Sequence, residues 1–159
     1  MGSRSKIDLA YIAGFLDGDG SLMFQLKKRK DGKKKWRFMC TVCFYQDSRH
    51  EKTLHWIRDK LDIGYISKRN DGMSELRING FKQIRNILKD LSPFIKFKRE
   101  QASAIHKATT LLSKKNNNQL DERELRKLVD YILVVQENNY ATKRKKDKKE
   151  LQSILGLTP

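Results

Sequence analysis

Two cysteines and two prolines are all that this chain of 159 residues contains. So few prolines leave long stretches free for regular structure. Two thiols cannot supply the framework of a disulfide-stapled secreted domain. They are spaced C-x-x-C, as Cys40 and Cys43, but no second pair and no suitably placed histidine completes four zinc ligands. Both fall in an alternating segment, where residues three apart face opposite sides of a strand. Two isolated thiols are therefore expected, which suits a reducing compartment. No apolar run approaches the length that spans a bilayer. The opening MGSRS lacks a signal-peptide core, and Lys6 stands where a myristoylation signal carries Ser or Thr. Residues 1–3 read as a cloning remnant and residues 1–6 as a disordered lead. Acidic residues are the scarce charge, 19 against 35 Lys and Arg, for a net charge of +16.

That surplus points to a polyanion partner, most often nucleic acid. The plainer alternatives are a merely soluble basic protein or one resting on an anionic membrane. The length fits one domain with a real core.

The apolar periods predict a helix over residues 7–16, with Asp8 as its cap. After Gly20 the period becomes alternating. Leu22, Phe24 and Leu26 share one face, and Ser21, Met23, Gln25, Lys27 and Arg29 the other. Asp31-Gly32 is a hairpin signal inside a lysine-rich tip. The return strand sets Trp36, Phe38, Cys40, Val42 and Phe44 against Arg37, Met39, Thr41 and Cys43. SRHE at 48–51 matches a capping box and opens a helix carrying Leu54, Ile57 and Leu61, which Gly64 ends. A second hairpin turns at Asn70, Asp71 and Gly72, with Tyr65, Ser67, Arg69, Glu75 and Arg77 outward. Helices are expected over residues 81–91 and 94–112. DERE at 121–124 starts another, carrying Leu125, Leu128, Val129, Ile132 and Val135. Residues 141–159 read as a basic tail with a short helix around Leu151, Ile154 and Leu155. The class is α+β, with one antiparallel sheet and helices on one side.

If the apolar strand faces meet the helices, the other faces merge into one exposed, largely basic surface. Gln25, Lys27, Arg29, Arg37, Thr41, Ser67, Arg69, Glu75 and Arg77 lie on it, with Lys143 from the tail. Arg suits guanine, Gln adenine and Glu a cytosine amino group, and a two-stranded ribbon fits the major groove. An ordinary solvated sheet face would show the same alternation. The tip lysines suit phosphates, which add affinity without sequence information.

One acidic feature stands against the charge. In GFLDGDGS, residues 14–21, Asp17 and Asp19 sit at a helix C-terminus, where a carboxylate costs roughly 0.3–1 kcal/mol. Divalent cations take such oxygens, together with backbone carbonyls like that of Gly18, and can activate water at a phosphate. Taken alone, D-G-D-G is equally good turn chemistry.

The longer string IAGFLDGDG, residues 12–20, resembles the signature of the LAGLIDADG homing endonucleases. Ala13, Gly14, Asp17, Asp19 and Gly20 match outright, and Gly18 replaces an alanine. GYISKR and LSPFIKFK look like the single-motif, homodimeric, organelle-intron branch, and the resemblance covers residues 7–140. It implies an αββαββα core with a saddle-shaped four-stranded sheet and C-terminal helices. It implies that two motif helices pack together through Ile12, Ala13, Phe15, Leu16 and Asp17. Asp19 would be the direct metal ligand, Gly18 would add a carbonyl, and Asp17 would cap or brace the partner helix. Gln46 matches a position that orders water, and Lys98 one that stabilises developing charge. His50 stands where the family carries an arginine, with Arg49 adjacent. The implied activity is Mg²⁺-dependent cleavage of both strands of a long near-palindromic DNA site, leaving short 3′ overhangs. Mn²⁺ should substitute, and Ca²⁺ should support binding without cleavage. The implied partners are double-stranded DNA and a second copy of the chain, with no membrane and no small-molecule substrate, in a chloroplast or mitochondrion. The rival is a non-cleaving RNA maturase or DNA-binding regulator on the same fold.

Overall fold

The first helix, α1, runs over Lys6–Asp19, longer at both ends than the apolar period implies. Its cap is Ser5 rather than Asp8: Ser5 Oγ accepts the Asp8 N–H at 3.0 Å. Asp8 lies in the first turn instead, where its carboxylate meets Lys60 Nζ at 3.0 Å and suits the positive end of the helix dipole. Arg4 donates to the carbonyls of Lys60 and Leu61 and to Asp90. Residues 4–6 therefore belong to the folded domain, contrary to the expectation of a disordered lead. The computed structural model describes residues 4–140 and 144–158, so Lys143 lies outside the described residues.

Two hairpins follow, β1 (Gly20–Lys28) with β2 (Trp36–Asp47), and β3 (Tyr65–Lys68) with β4 (Met73–Asn79). They join into one antiparallel sheet in the order β1-β2-β4-β3. The alternation fixes which face is buried: Leu22, Phe24, Phe38, Val42, Phe44 and Leu76 point into the core. A register slip by one residue would turn all of them to water, so the pairing is strongly specified. Cys40 and Cys43 are both free and both buried.

Between the hairpins lies α2 (Lys52–Leu61), whose Leu54, Ile57 and Leu61 are buried as the spacing predicts. The capping box at 48–51 does not form. Ser48–His50 is a short 3-10 turn capped by Asp47, the Ser48 hydroxyl bonds to that of Ser74 at 2.9 Å, and the Glu51 carboxylate accepts from Ser74 and His55. Tertiary partners thus take the groups that the box would have used. The helix ends at Leu61 on the left-handed Asp62, with φ 56°, ahead of Gly64.

Helix α3 spans Phe81–Leu91 as expected. Residues 94–98 are not helical; α4 begins only at Arg99 and runs to Leu112. Ser92 keeps helical dihedrals at φ −52° and ψ −39°, but Pro93 has no N–H with which to continue α3, and the N–H groups of Lys96, Phe97 and Lys98 turn to a carboxylate described below. Helix α5, Glu122–Asn138, carries the reciprocal capping box between Asp121 and Glu124, and all five of its expected core residues are buried. Asn139 Nδ2 and Lys146 Nζ donate to the carbonyls of Leu22 and Leu26 at 2.9 and 3.2 Å, which covers the open edge of β1. Helix α6 (Lys148–Ile154), capped by Asp147, seats Leu151 in the core. The helices thus pack on one face of the sheet and leave the other open. No helix among the described residues is long and apolar enough to cross a membrane.

Candidate nucleic-acid interface and acidic tip

The tip of α1 and the turn before α4 are tied by reciprocal caps. Asp17 Oδ2 accepts the N–H groups of Lys96 and Phe97 at 2.7 and 3.1 Å, and Oδ1 that of Lys98 at 2.9 Å. In return, Lys98 Nζ donates to the Asp17 carbonyl at 2.6 Å, satisfying an orphan oxygen at the negative end of α1. Partial burial works against ionisation of Asp17, but the three N–H donors and the Lys98 charge outweigh it and hold the carboxyl below its usual range. Lys98 is 7% exposed. Burial lowers its pKa, and the carboxylates of Asp17 and Asp19 offset part of that.

Asp17 therefore braces its own chain. Asp19, one turn-edge further on, is exposed, and it has no hydrogen-bond or ion-pair partner among the described residues. Gly18 is also exposed, and a Cβ there would meet nothing within 4 Å. At Gly20 the reverse holds: a Cβ would lie 2.6 Å from Leu16 Cδ1 and 2.8 Å from the Leu16 backbone, because the Gly20 N–H closes the helix on the Leu16 carbonyl. The chain can make this helix-to-strand corner only without a side chain. Among the described residues no three His, Cys, Asp or Glu side chains cluster as a metal site. One tip presents one free carboxylate and the Gly18 carbonyl.

Gly20 pairs with Phe44, so Gln46, two residues on, continues β2 past the same corner. Gln46 Oε1 accepts the Asp47 N–H at 2.9 Å, leaving its Nε2 as a donor. Arg49 is paired at the surface: its Nε and Nη2 donate to the two Asp47 oxygens at 3.0 and 2.8 Å, with the side chain 83% exposed. The adjacent His50 is exposed and has no such partner among the described residues. A cleft of about 470 Å³ opens beside the tip, lined by Ser21, Tyr45, Arg69, Phe97, Lys98 and Tyr140 among others.

On the open face of the sheet the register sets out successive rows. Tyr45, Glu75 and Ser67 lie nearest the corner, followed by Ser21, Cys43, Arg77 and Tyr65. Next come Met23, Thr41 and Asn79, then Gln25 with Met39, and last Lys27 with Arg37. The polar residues that the alternation selected thus share one surface. Thr41 departs from the expectation. It is 1% exposed and donates to Asn79 Oδ1 at 2.9 Å, so its neighbour Asn79 presents the polar group there. Glu75 and Arg77 are paired at 3.1 Å, and Arg69 pairs with Asp71 at 3.0 Å and lies over the Tyr45 ring. Arg29 is exposed in the loop beyond β1. Tyr45 and Asn79 were missed by the sequence reading; the same alternation marks both positions.

The face of α1 assigned to a second copy needs correction. Ile12, Ala13 and Leu16 are each 0% exposed, buried in their own core, and Phe15 is partly buried. Asp17 is engaged with residues 96–98. The exposed side carries Ile7, Ala10, Tyr11, Gly14 and Gly18. Ile7 is 82% and Tyr11 54% exposed; they line a groove of about 400 Å³ with Lys52, Thr53 and Trp56. A Cβ at Gly14 would meet nothing within 4 Å. The signal was present: a helix apolar on nearly every side is covered on more than one.

Known proteins match this arrangement. The LAGLIDADG endonuclease family model matches residues 12–125. DNA endonuclease I-CreI of Chlamydomonas reinhardtii is 33% identical over 103 residues, and DNA endonuclease I-CvuI of Chlorella vulgaris 31% identical over 102. These segments cover 65% and 64% of this chain and 63% of each relative, a little under two thirds of the relatives' own length. The fold superposes on the crystal structure of the homing endonuclease I-CvuI in complex with its target in the presence of calcium. The TM-score is 0.85, with 26% identity over 97% of this chain and 98% of that one. The string at the helix tip opens the matched region, and this chain belongs to the LAGLIDADG endonuclease family.

Proposed function

We propose that two copies of this chain form a Mg²⁺-dependent, site-specific endonuclease that hydrolyses one phosphodiester on each strand of a long, near-palindromic DNA target. The observation that carries this reading is the exposed Asp19, without a hydrogen-bond or ion-pair partner among the described residues, beside the nearly buried Lys98, at the corner where an open basic sheet begins.

The donors fit a hard cation, which takes carboxylate, carbonyl and water oxygens. Asp19 and the Gly18 carbonyl would hold it, with the phosphate, water and a second tip supplying the remaining ligands. When bound, the metal neutralises phosphate charge and lowers the pKa of water. Mn²⁺ is the expected substitute, and Ca²⁺ is expected to support binding alone. The chain's own groups do the rest. Gln46 Nε2 orients water at the corner. The Lys98 ammonium, held on the end of α1, faces the charge that develops on the phosphate. His50, exposed and without a hydrogen-bond partner among the described residues, supplies the second basic group, beside an Arg49 paired with Asp47 at the surface. Asp17 holds the Lys98 backbone in place.

A second copy is needed because one tip serves one strand. The exposed stripe of Ile7, Ala10, Tyr11 and Gly14 is apolar, and Ala10 and Gly14 are small enough for close helix approach, so a C2 pair brings two tips together. Repulsion between two Asp19 carboxylates is then offset by metal. Such a dimer reads a palindrome, each subunit taking one half-site. The sheets lie in the flanking major grooves, and the tips act across the intervening minor groove to leave short 3′ overhangs. An organelle setting rests on the resemblance to the intron-encoded branch.

The test is selection of cleaved sites from a randomised duplex library with Mg²⁺, followed by plasmid cleavage with Mg²⁺ or Ca²⁺. Asp19→Asn should bind the selected site and leave it intact. A chain that binds tightly in both salts and cuts in neither would instead act as a regulator or maturase.

A further inference from the structure

The open face holds one ion pair whose geometry differs from ordinary surface pairing. Arg77 Nε donates to Glu75 Oε1 at 3.1 Å, and Ser67 Oγ donates to the same oxygen at 3.5 Å. The side chains are 29% and 12% exposed. Glu75 is thus covered, and its Oε1 already has two donors, so it is poorly placed to take a cytosine amino proton. The bond uses Arg77 Nε, and neither Nη group, the two-pronged end of the guanidinium, has a hydrogen-bond partner among the described residues. The stem sits in the row between Cys43, which is 0% exposed, and Tyr65, which is 53% exposed. A guanidinium held in one orientation with both Nη groups available is the donor pattern that matches guanine O6 and N7.

We propose that Glu75 and Arg77 act as one reading unit: Arg77 specifies a guanine in each half-site, and Glu75 is its positioning residue rather than a reader of cytosine. This rests on the proposed DNA binding and deepens it. The register also gives the guanine a place. Strand residues rise by about 3.4 Å, as base pairs do along B-DNA. Arg77 lies in the Ser21 row, four residues along β1 from Gln25. The guanine therefore falls about four base pairs closer to the centre of the site than the base facing Gln25.

The experiment is selection of bound sites in Ca²⁺ and of cleaved sites in Mg²⁺, from one randomised duplex library. It compares the wild type with Arg77→Ala, Glu75→Gln and Gln25→Ala, each checked for folding by circular dichroism. The wild type should prefer guanine at one inner position per half-site by about 5- to 150-fold. Arg77→Ala should erase that preference and leave the other positions unchanged. Glu75→Gln, which keeps the size and loses the charge, should weaken the same guanine preference severalfold and alter no other position. Gln25→Ala should relax a position about four base pairs further out. A wild-type profile without an Arg77-dependent guanine overturns the proposal. So does a Glu75→Gln profile that is unchanged, which would make the pair structural only, or one changed at a cytosine elsewhere. Enrichment of bound sites without any cleavage would count against the endonuclease reading alone, since the base profile is still read. Absence of any sequence-selective binding would sink both.

Discussion

The two aspartates of the motif are two residues apart, yet the structure gives them opposite consequences on substitution. Asp17→Asn keeps the size of the side chain and removes its charge. The carboxylate accepts three backbone N–H groups, at 2.7, 2.9 and 3.1 Å. Hydrogen bonds to a charged partner contribute roughly 1.5–3 kcal/mol each, and the lower end applies to a partly exposed site. An asparagine has one acceptor oxygen, so it can retain at most two of the three as neutral bonds and must aim its own N–H₂ at the remaining donor. The expected loss is about 2–4 kcal/mol of unfolding free energy, measured by urea denaturation at fixed protomer concentration. The pH dependence has a definite sign. The folded-state pKa of Asp17 is depressed below its ordinary 3.8. Its contribution is therefore fully present above that value and is lost as pH falls through the folded pKa. The gap between wild type and Asp17→Asn should be widest at neutral pH and close in strong acid. Asp19→Asn, with no partner to lose among the described residues and a helix end relieved of negative charge, should be neutral or stabilising by up to about 1 kcal/mol, while abolishing cleavage. An Asp17→Asn protein within about 0.5 kcal/mol of wild type at neutral pH would refute the cap as the reason for that residue.

Lys98→Gln should lower the rate of strand cutting at saturating protein by more than it weakens binding, since the ammonium is nearly buried at the tip; equal losses in both would make it a phosphate clamp. Gly20→Ala drives a Cβ to 2.6 Å from Leu16 Cδ1 and 2.8 Å from its backbone, and should cost about 1–3 kcal/mol, read by the urea midpoint. Tyr11→Asp places charge on the exposed stripe of α1, and sedimentation should show a monomer that has lost double-strand cleavage; an intact dimer would move the interface elsewhere.

The elements whose burial follows from period alone were legible in the residues. Helix α5 came out with its capping box and five core positions because Asp121, Glu124 and the apolar stripe all act within a few residues of one another. The strands came out because alternation leaves one solution for a half-buried sheet. Helix α3 stopped where Ser92-Pro93 says it must. Apart from the cap of α1, which is Ser5 and not Asp8, what failed depends on distant partners. The box at 48–51 gave way because Ser74, far along the chain, took the Ser48 hydroxyl and the Glu51 carboxylate. Residues 94–98 are apolar enough for a helix, yet the N–H groups of Lys96, Phe97 and Lys98 are spent on Asp17.

The amino-acid sequence alone determined the chemistry available: a cationic surface, an alternating face of base-reading side chains, and a glycine-aspartate corner. These are properties of composition and of backbone sterics, which act locally. The resemblance already separated Asp19 from Asp17, but only the tertiary structure shows the physical reason, a turn some eighty residues away whose N–H groups occupy Asp17. It also decided that Ile12, Ala13 and Leu16 face inward while Ile7, Tyr11 and Gly14 face out. A helix apolar on all sides carries no local instruction about which side its own core will cover; the packing of the sheet against it supplies that choice.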